Sequence, residues 1–132
     1  MTTVLVVDDD PGIRSLARLT LSLDGYSVPT ASGGHEAIEI LTQQQVDLIV
    51  LDLRMPDMDG QETLQEARRE GYNGPVLILS AFGAKPAAEQ LLADDAVDKP
   101  FDPNELTAHV RRLLELNKPR PRSPGKPSDE TC

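Results

Sequence analysis

Five short apolar runs alternating with five longer amphipathic stretches predict an α/β fold, a parallel sheet with helices on both faces. Two further observations sharpen the expectation. Val4 to Val7 and Leu48 to Leu51 show no polar alternation, as strands do when both of their faces are covered. Tyr26-Ser27-Val28-Pro29-Thr30 carries a proline, which removes a ladder donor and belongs at a sheet edge. The strand order 2-1-3-4-5 places that segment at an edge.

The first strand, residues 3–8, runs directly into Asp8-Asp9-Asp10. A helix over 11–23 follows, with Pro11 just inside its start and Gly25 just past its end. The edge strand spans 26–31 and the next helix 34–44. Strand 47–52 closes on Asp52, and Asp59-Gly60 opens a helix over 60–70. Strand 75–80 ends in Ser80, a helix covers 84–93, and the short strand 96–98 delivers Lys99-Pro100. The last helix, 103–116, begins with Asp102 as N-cap, Pro103 first and Glu105 third, and buries Leu106, Val110, Leu113 and Leu114. After Asn117 the chain is proline-rich with no core-forming residue. It divides into a domain at 1–117 and a disordered tail or linker at 118–132.

A chain of 132 residues, 39% hydrophobic and 27% charged, has room for one domain with a core of ordinary size. The net charge is −9, and Lys118, Arg120, Arg122 and Lys126 make the tail net basic, so the body is more acidic than the whole. Such a body is repelled by phosphate backbones, which argues against direct nucleic-acid binding and favours cations and basic surfaces. No run reaches the length of a membrane span, and the N-terminus lacks the form of a signal peptide, so the expected compartment is the cytoplasm. The single cysteine, Cys132, makes no intramolecular disulfide and fits a reducing location.

In a sheet of this order, ligands bind beyond the carboxyl ends of the strands, at the switch between strands one and three. Those ends carry Asp8, Asp9 and Asp52. Two carboxylates about 4 Å apart repel by about 4 kcal/mol at an effective dielectric near 20, so the cluster is either partly protonated or holds a cation. All-oxygen ligation suits Mg²⁺. With Lys99 the cation neutralises an incoming phosphoryl group while a carboxylate attacks in line and forms an acyl phosphate. Ser80 is placed to donate a hydroxyl hydrogen bond to a phosphoryl oxygen.

These residues resemble the receiver domain of two-component response regulators, which has a flavodoxin-like fold. The match covers roughly residues 3–116. Its most specific part is Asp52-Leu53-Arg54-Met55-Pro56-Asp57-Met58-Asp59-Gly60, with Asp8-Asp9-Asp10-Pro11, Ser80-Ala81 and Lys99-Pro100-Phe101 in support. The resemblance implies that Asp52 is the phosphoacceptor, charged by a sensor histidine kinase, a phosphotransfer protein or a small phosphodonor. Asp9, Asp52 and the backbone carbonyl of Arg54 are implied as direct Mg²⁺ ligands, with Asp8 acting through water. Ser80 and Lys99 are implied to hold the phosphoryl group, and Lys99–Pro100 to be a cis bond. Such a domain is no dedicated turnover enzyme but catalyses its own phosphorylation and dephosphorylation. A downstream target or output domain and a second copy of the chain are its further candidate partners.

Departures from the family pattern cluster in one region. Ala96 stands ahead of Lys99 where the family usually has Tyr or Phe, the stretch from Ser80 to Lys99 is short, and Leu91 to Asp95 lacks a customary glycine. In typical members the hydroxyl residue and that ring move together, making Ser80 and Ala96 the switch positions. Alanine has no side-chain torsion to switch. The expectation is an intact phosphorylation site with a weakened or altered output face around 84–105.

Asp10 and Asp59 are read as turn residues, Met55 and Met58 as packing beneath the site, and His35 and His109 as exposed helix positions. Two other functions compete. Asp8-Asp9-Asp10 holds the Asp-x-Asp pattern of haloacid-dehalogenase-like phosphatases, with Asp8 as nucleophile, but that reading leaves the Asp52 motif unexplained. A receiver-like interaction module that is never phosphorylated gains weight from Ala96.

Overall fold

Alternate residues of the apolar strands divide between two cores, because successive side chains of a strand point to opposite faces of the sheet. The computed structural model describes residues 2–55, 58–80 and 93–116. Within them lie strands β1 (Val4–Val7), β2 (Thr30–Ala31), β3 (Leu48–Asp52), β4 (Val76–Ser80) and β5 (Asp95–Asp98). The helices are α1 (Pro11–Leu23), α2 (Gly34–Gln43), α3 (Gly60–Arg69) and α4 (Pro103–Leu116). All strand pairs are parallel and the order is β2-β1-β3-β4-β5, the flavodoxin-like arrangement the sequence predicts. The expected helix over 84–93, apart from Ala93, and the tail 118–132 lie outside the described residues.

Leu5, Val7, Ile49, Leu51, Val76 and Ile78 pack with Ala37 of α2 and with Leu64 and Ala67 of α3. Val4, Val6, Leu48, Val50, Leu77 and Leu79 pack on the other face with Ala17 and Leu21 of α1 and Leu106, Val110 and Leu113 of α4. Each fully buried leucine contributes about 1.5–3 kcal/mol relative to exposure, so the central strands anchor the fold. The Arg111 guanidinium pairs with both carboxylate oxygens of Asp24 and ties α4 to the end of α1.

Side-chain caps fix where the helices begin. Asp10 accepts from the amides of Gly12 at 2.8 Å and Ile13 at 3.3 Å. Asp59 and Glu62 form a reciprocal capping box at α3. Asp102 accepts from the Asn104 amide at 2.7 Å. Gly25 follows α1 with φ of 97°, a left-handed turn conformation that glycine adopts without strain.

The edge strand is shorter than its sequence suggests. Of residues 26–31 only Thr30 and Ala31 form β2, with a separate bridge between Thr3 and Ser27. Carbonyls of Ser27, Pro29 and Ala31 still accept from Val4, Val6 and Asp8, but Pro29 has no N–H to return and the ladder is interrupted there. Helices α2 and α3 each end one residue before the expected position, within the fraying of a last turn.

Candidate functional site

Register brings the acidic strand ends together. Val7 stands opposite Leu51, so Asp8 and Asp52 each occupy the next position on neighbouring strands about 4.8 Å apart. Both continue the parity of Val6 and Val50, on the face that carries α1 and α4. On the far side of β4, Val97 shares that parity, and Lys99 follows it two residues later. Carboxylate oxygens of Asp8, Asp9 and Asp52 lie within 4.8 Å of one another. Asp8 is fully buried and Asp52 is 4% exposed, whereas Asp9 faces solvent, so the cluster opens on the Asp9 side.

The Lys99 ammonium sits between the two buried carboxylates, 2.7 Å from Asp8 Oδ2 and 3.4 Å from Asp52 Oδ1. Burial pushes the Asp52 carboxyl up to about 6, with the Asp8 charge adding to it and Lys99 and the Arg54 N–H opposing. For Lys99, burial works against the charged form, but the hydrogen bond and charge of Asp8 together with Asp52 outweigh it and hold the ammonium above the ordinary lysine range. Three carboxylates therefore face one ammonium, a deficit of positive charge that a divalent cation would offset.

The residues present fit such a cation. Asp8 Oδ1 accepts from the Asp10 amide at 2.9 Å. Asp8 Oδ2 is buried and its contact is the Lys99 ammonium, which leaves this carboxylate oxygen a lone pair to spare. A buried oxygen with spare acceptor capacity, in an all-carboxylate set, suits a hard cation.

Of the other expected residues, Arg54 is exposed and gives its backbone N–H to Asp52 Oδ1 at 3.3 Å. Ser80 ends β4 one step beyond Leu79, the partner of Asp52, and is 5% exposed. Ser80 follows the parity of Ile78, and Ile78 pairs with Ala96, so the two expected switch positions share a sheet face. Ala96 is buried at 4% exposure. The backbone N–H of Lys99 donates to the Ser80 carbonyl at 2.7 Å, and the Lys99–Pro100 bond is cis. Met55 is buried in the core, and Met58 lies over Gly34, where a β-carbon would meet its sulfur at 2.7 Å.

One expectation needs correction, and two residues take roles that sequence patterns do not signal. His109 is not an exposed position: its Nδ1 lies 2.6 Å from Asp95 Oδ2, the oxygen that Arg112 also meets. Gly60 is more than a helix start, since a β-carbon there would stand 2.7 Å from both the Asp52 carbonyl oxygen and the Leu53 Cα. Its absence lets α3 close over the peptide that carries Asp52. Arg14 Nη1 donates to the Asp8 carbonyl at 2.7 Å. Asp10, the second acid of the Asp-x-Asp pattern, is engaged as the cap of α1, which leaves the phosphatase reading without its second acid.

Comparison with known proteins agrees with this geometry. Residues 4–111 match the family model described as response regulator receiver domain. The chain is 43% identical over 114 residues to a probable transcriptional regulator, ycf27, of Cyanidium caldarium, covering 84% of this chain and 45% of the relative. It is 40% identical over 119 residues to the response regulator MprA of Mycobacterium leprae, covering 88% and 52%. The chain thus spans about half the length of the curated relatives it matches. Among solved structures, the chemotaxis protein CheY4 of Vibrio cholerae superposes with a TM-score of 0.81 at 32% identity, over 86% of this chain and 99% of that one. The response regulator TrrA of Thermotoga maritima, solved in complex with Mg²⁺ and BeF, gives 0.78 at 35% identity, over 86% and 100%.

Proposed function

The chain belongs to the response regulator receiver domain family, the phosphoacceptor modules of two-component signalling, and on that premise we propose that Asp52 is the residue that takes the phosphoryl group. The observation that carries the reading is the convergence of Asp8, Asp9 and Asp52 within 4.8 Å, with Lys99 bridging the two buried carboxylates. Asp8, Asp9, Asp52 and the Arg54 carbonyl would hold Mg²⁺, with Asp8 acting through water. When bound, the cation neutralises charge on the transferring phosphoryl oxygens.

The chain's own residues account for the rest. With its carboxyl near 6, Asp52 is largely ionised at neutral pH and available as nucleophile. An Asp52 oxygen bonds to phosphorus as the bond to the donor breaks, and the donor leaves with that electron pair. The Arg54 N–H on Oδ1 restrains the carboxylate's orientation. Lys99, already positioned by Asp8, moves its ion pairing to the new phosphoryl oxygens, and the Ser80 hydroxyl donates to another. Water ends the phosphorylated state by attacking phosphorus: the Asp52 O–P bond breaks, inorganic phosphate leaves and the carboxylate is regenerated.

In this reading residues 1–117 are the receiver and 118–132 a Pro-rich tail or linker, acting in the cytoplasm; among the described residues no helix is long and apolar enough to cross a membrane. Receiver domains interact with histidine kinases. Here the donor is a sensor kinase or phosphotransfer protein, and the signal passes to an output domain, a separate target or a second copy of the chain. Incubation with acetyl phosphate and Mg²⁺ followed by intact mass tests the proposal. Wild type gains one phosphoryl group, and Asp52→Asn or chelator abolishes the gain. A label lost in Asp8→Asn but kept in Asp52→Asn would favour the phosphatase, and no label at all would favour the unphosphorylated interaction module.

A further inference from the structure

Arg14 lies half-buried on α1, one turn past the acidic loop, and its guanidinium reaches back over that loop to the carbonyl of Asp8 at 2.7 Å. That carbonyl belongs to the peptide joining Asp8 to Asp9. The peptide unit is planar, so fixing its oxygen fixes the direction in which the Asp9 Cα leaves it. Asp8 has other anchors: its N–H donates to the Ala31 carbonyl at 3.1 Å, and its Oδ1 accepts from the Asp10 amide. Asp9 is exposed and follows the peptide that Arg14 grips. A charge-assisted hydrogen bond is the stronger kind, and this one joins two segments that no strand ladder holds together.

Glu36, at the start of α2, is kept below the usual carboxylate range by hydrogen bonds from the Ser32 N–H and hydroxyl, with the Arg14 charge adding to the effect. The Arg14 charge is thus partly balanced by an acid of the first turn of α2 whose own hydrogen bonds go to Ser32.

We infer that Arg14 is a positioning residue that presets the Asp9 carboxylate for the divalent cation, a role that rests on the Mg²⁺ site proposed above. Two physical effects of this arginine oppose each other, which makes the inference decidable. As a mere positive charge near the site, Arg14 repels a cation, so its removal would tighten Mg²⁺ binding. As a clamp on the loop it preorganises a ligand, so its removal weakens binding, typically about tenfold or more for an outer partner of a metal site.

Calorimetric titration of the full chain with MgCl₂ separates them. Expected is a dissociation constant about tenfold higher in Arg14→Met, an intermediate value in Arg14→Lys, and an unchanged or slightly lower value in Arg18→Met. Arg18, exposed on the same helix, supplies the charge control. In metal-free protein, ¹⁵N relaxation should show the Asp9 amide more mobile in Arg14→Met than in wild type. Arg14→Lys keeps the charge and loses the planar fork, so a weakened affinity there supports the clamp even if Arg14→Met folds poorly. Binding in Arg14→Met and Arg14→Lys as tight as in wild type, or tighter, overturns the inference and leaves the proposed function standing. Failure of the wild type to take up Mg²⁺ at all would overturn both.

Discussion

Replacing Asp52 by asparagine should stabilise the metal-free protein at neutral pH. The substitution keeps the side-chain volume and an oxygen to accept the Arg54 N–H, and removes a negative charge from a site where burial and Asp8 disfavour it. The folded-state value of about 6, against 3.8 for the free group, is worth about 3 kcal/mol at roughly 1.4 kcal/mol per unit. Solvent screening at the strand mouth reduces this to about 1–2 kcal/mol. Because the folded value is raised, the carboxyl costs nothing below the unfolded pKa, and stability is lost as pH rises from there through about 6. The two proteins should thus unfold together near pH 4 and separate as the pH climbs, with Asp52→Asn about 1 M higher in urea midpoint at pH 7.5. Far-UV circular dichroism is the suitable probe, as the chain has no tryptophan. Saturating Mg²⁺ should reverse the ranking, since a ligand at a hundredfold its dissociation constant adds about 2.7 kcal/mol and wild type binds it better. An Asp52→Asn protein no more stable than wild type at pH 7.5 without metal would refute the electrostatic account of the site.

Three further outcomes are expected. Gly60→Ala should cost about 1–3 kcal/mol in urea unfolding and shift the Arg54 amide resonance, since its β-carbon meets the backbone behind Asp52. Asp95→Asn should cost about 1 kcal/mol at pH 7 by breaking the pairing with His109 and Arg112; the carboxyl is lowered because those contacts outweigh its burial, so the difference should vanish in acid once pH falls through the lowered value. Beryllofluoride with Mg²⁺ should perturb amides near Asp52 strongly and those around Ala96 weakly, with Ala96→Tyr enlarging the latter; large shifts across 93–105 in the wild type would show that the missing ring does not matter.

Much of this architecture can be read from residue order because the central strands are buried on both faces. Val4 to Val7 and Leu48 to Leu51 advertise themselves as apolar runs, and their register then carries Asp8 and Asp52 to the same level without further information. Asp10 and Asp59 announce helix starts through local capping, which needs only neighbours in the chain. Interactions between distant segments leave no such signature. His109 meets Asp95 across a strand–helix crossing that periodicity does not reveal, and a half-buried histidine at that position reads from sequence as a polar surface residue. Arg14 likewise resembles any arginine on an amphipathic helix until the loop folds back beneath it. Gly60 is readable as a helix start, but its tight approach to the Asp52 peptide is a property of packing. In the edge strand, the proline indicates the correct position in the sheet and overstates the length of the ladder.

Locating the phosphoryl group tests the central claim most directly. After reaction with acetyl phosphate and Mg²⁺, borohydride reduction and tryptic digestion, tandem mass spectrometry of the fragment ending at Arg14, which holds Asp8 and Asp9, and of the fragment ending at Arg54, which holds Asp52, should show one modified residue, Asp52. Modification at Asp8 or Asp9 in its place, or neither fragment modified under conditions where Mg²⁺ demonstrably binds, would contradict the assignment.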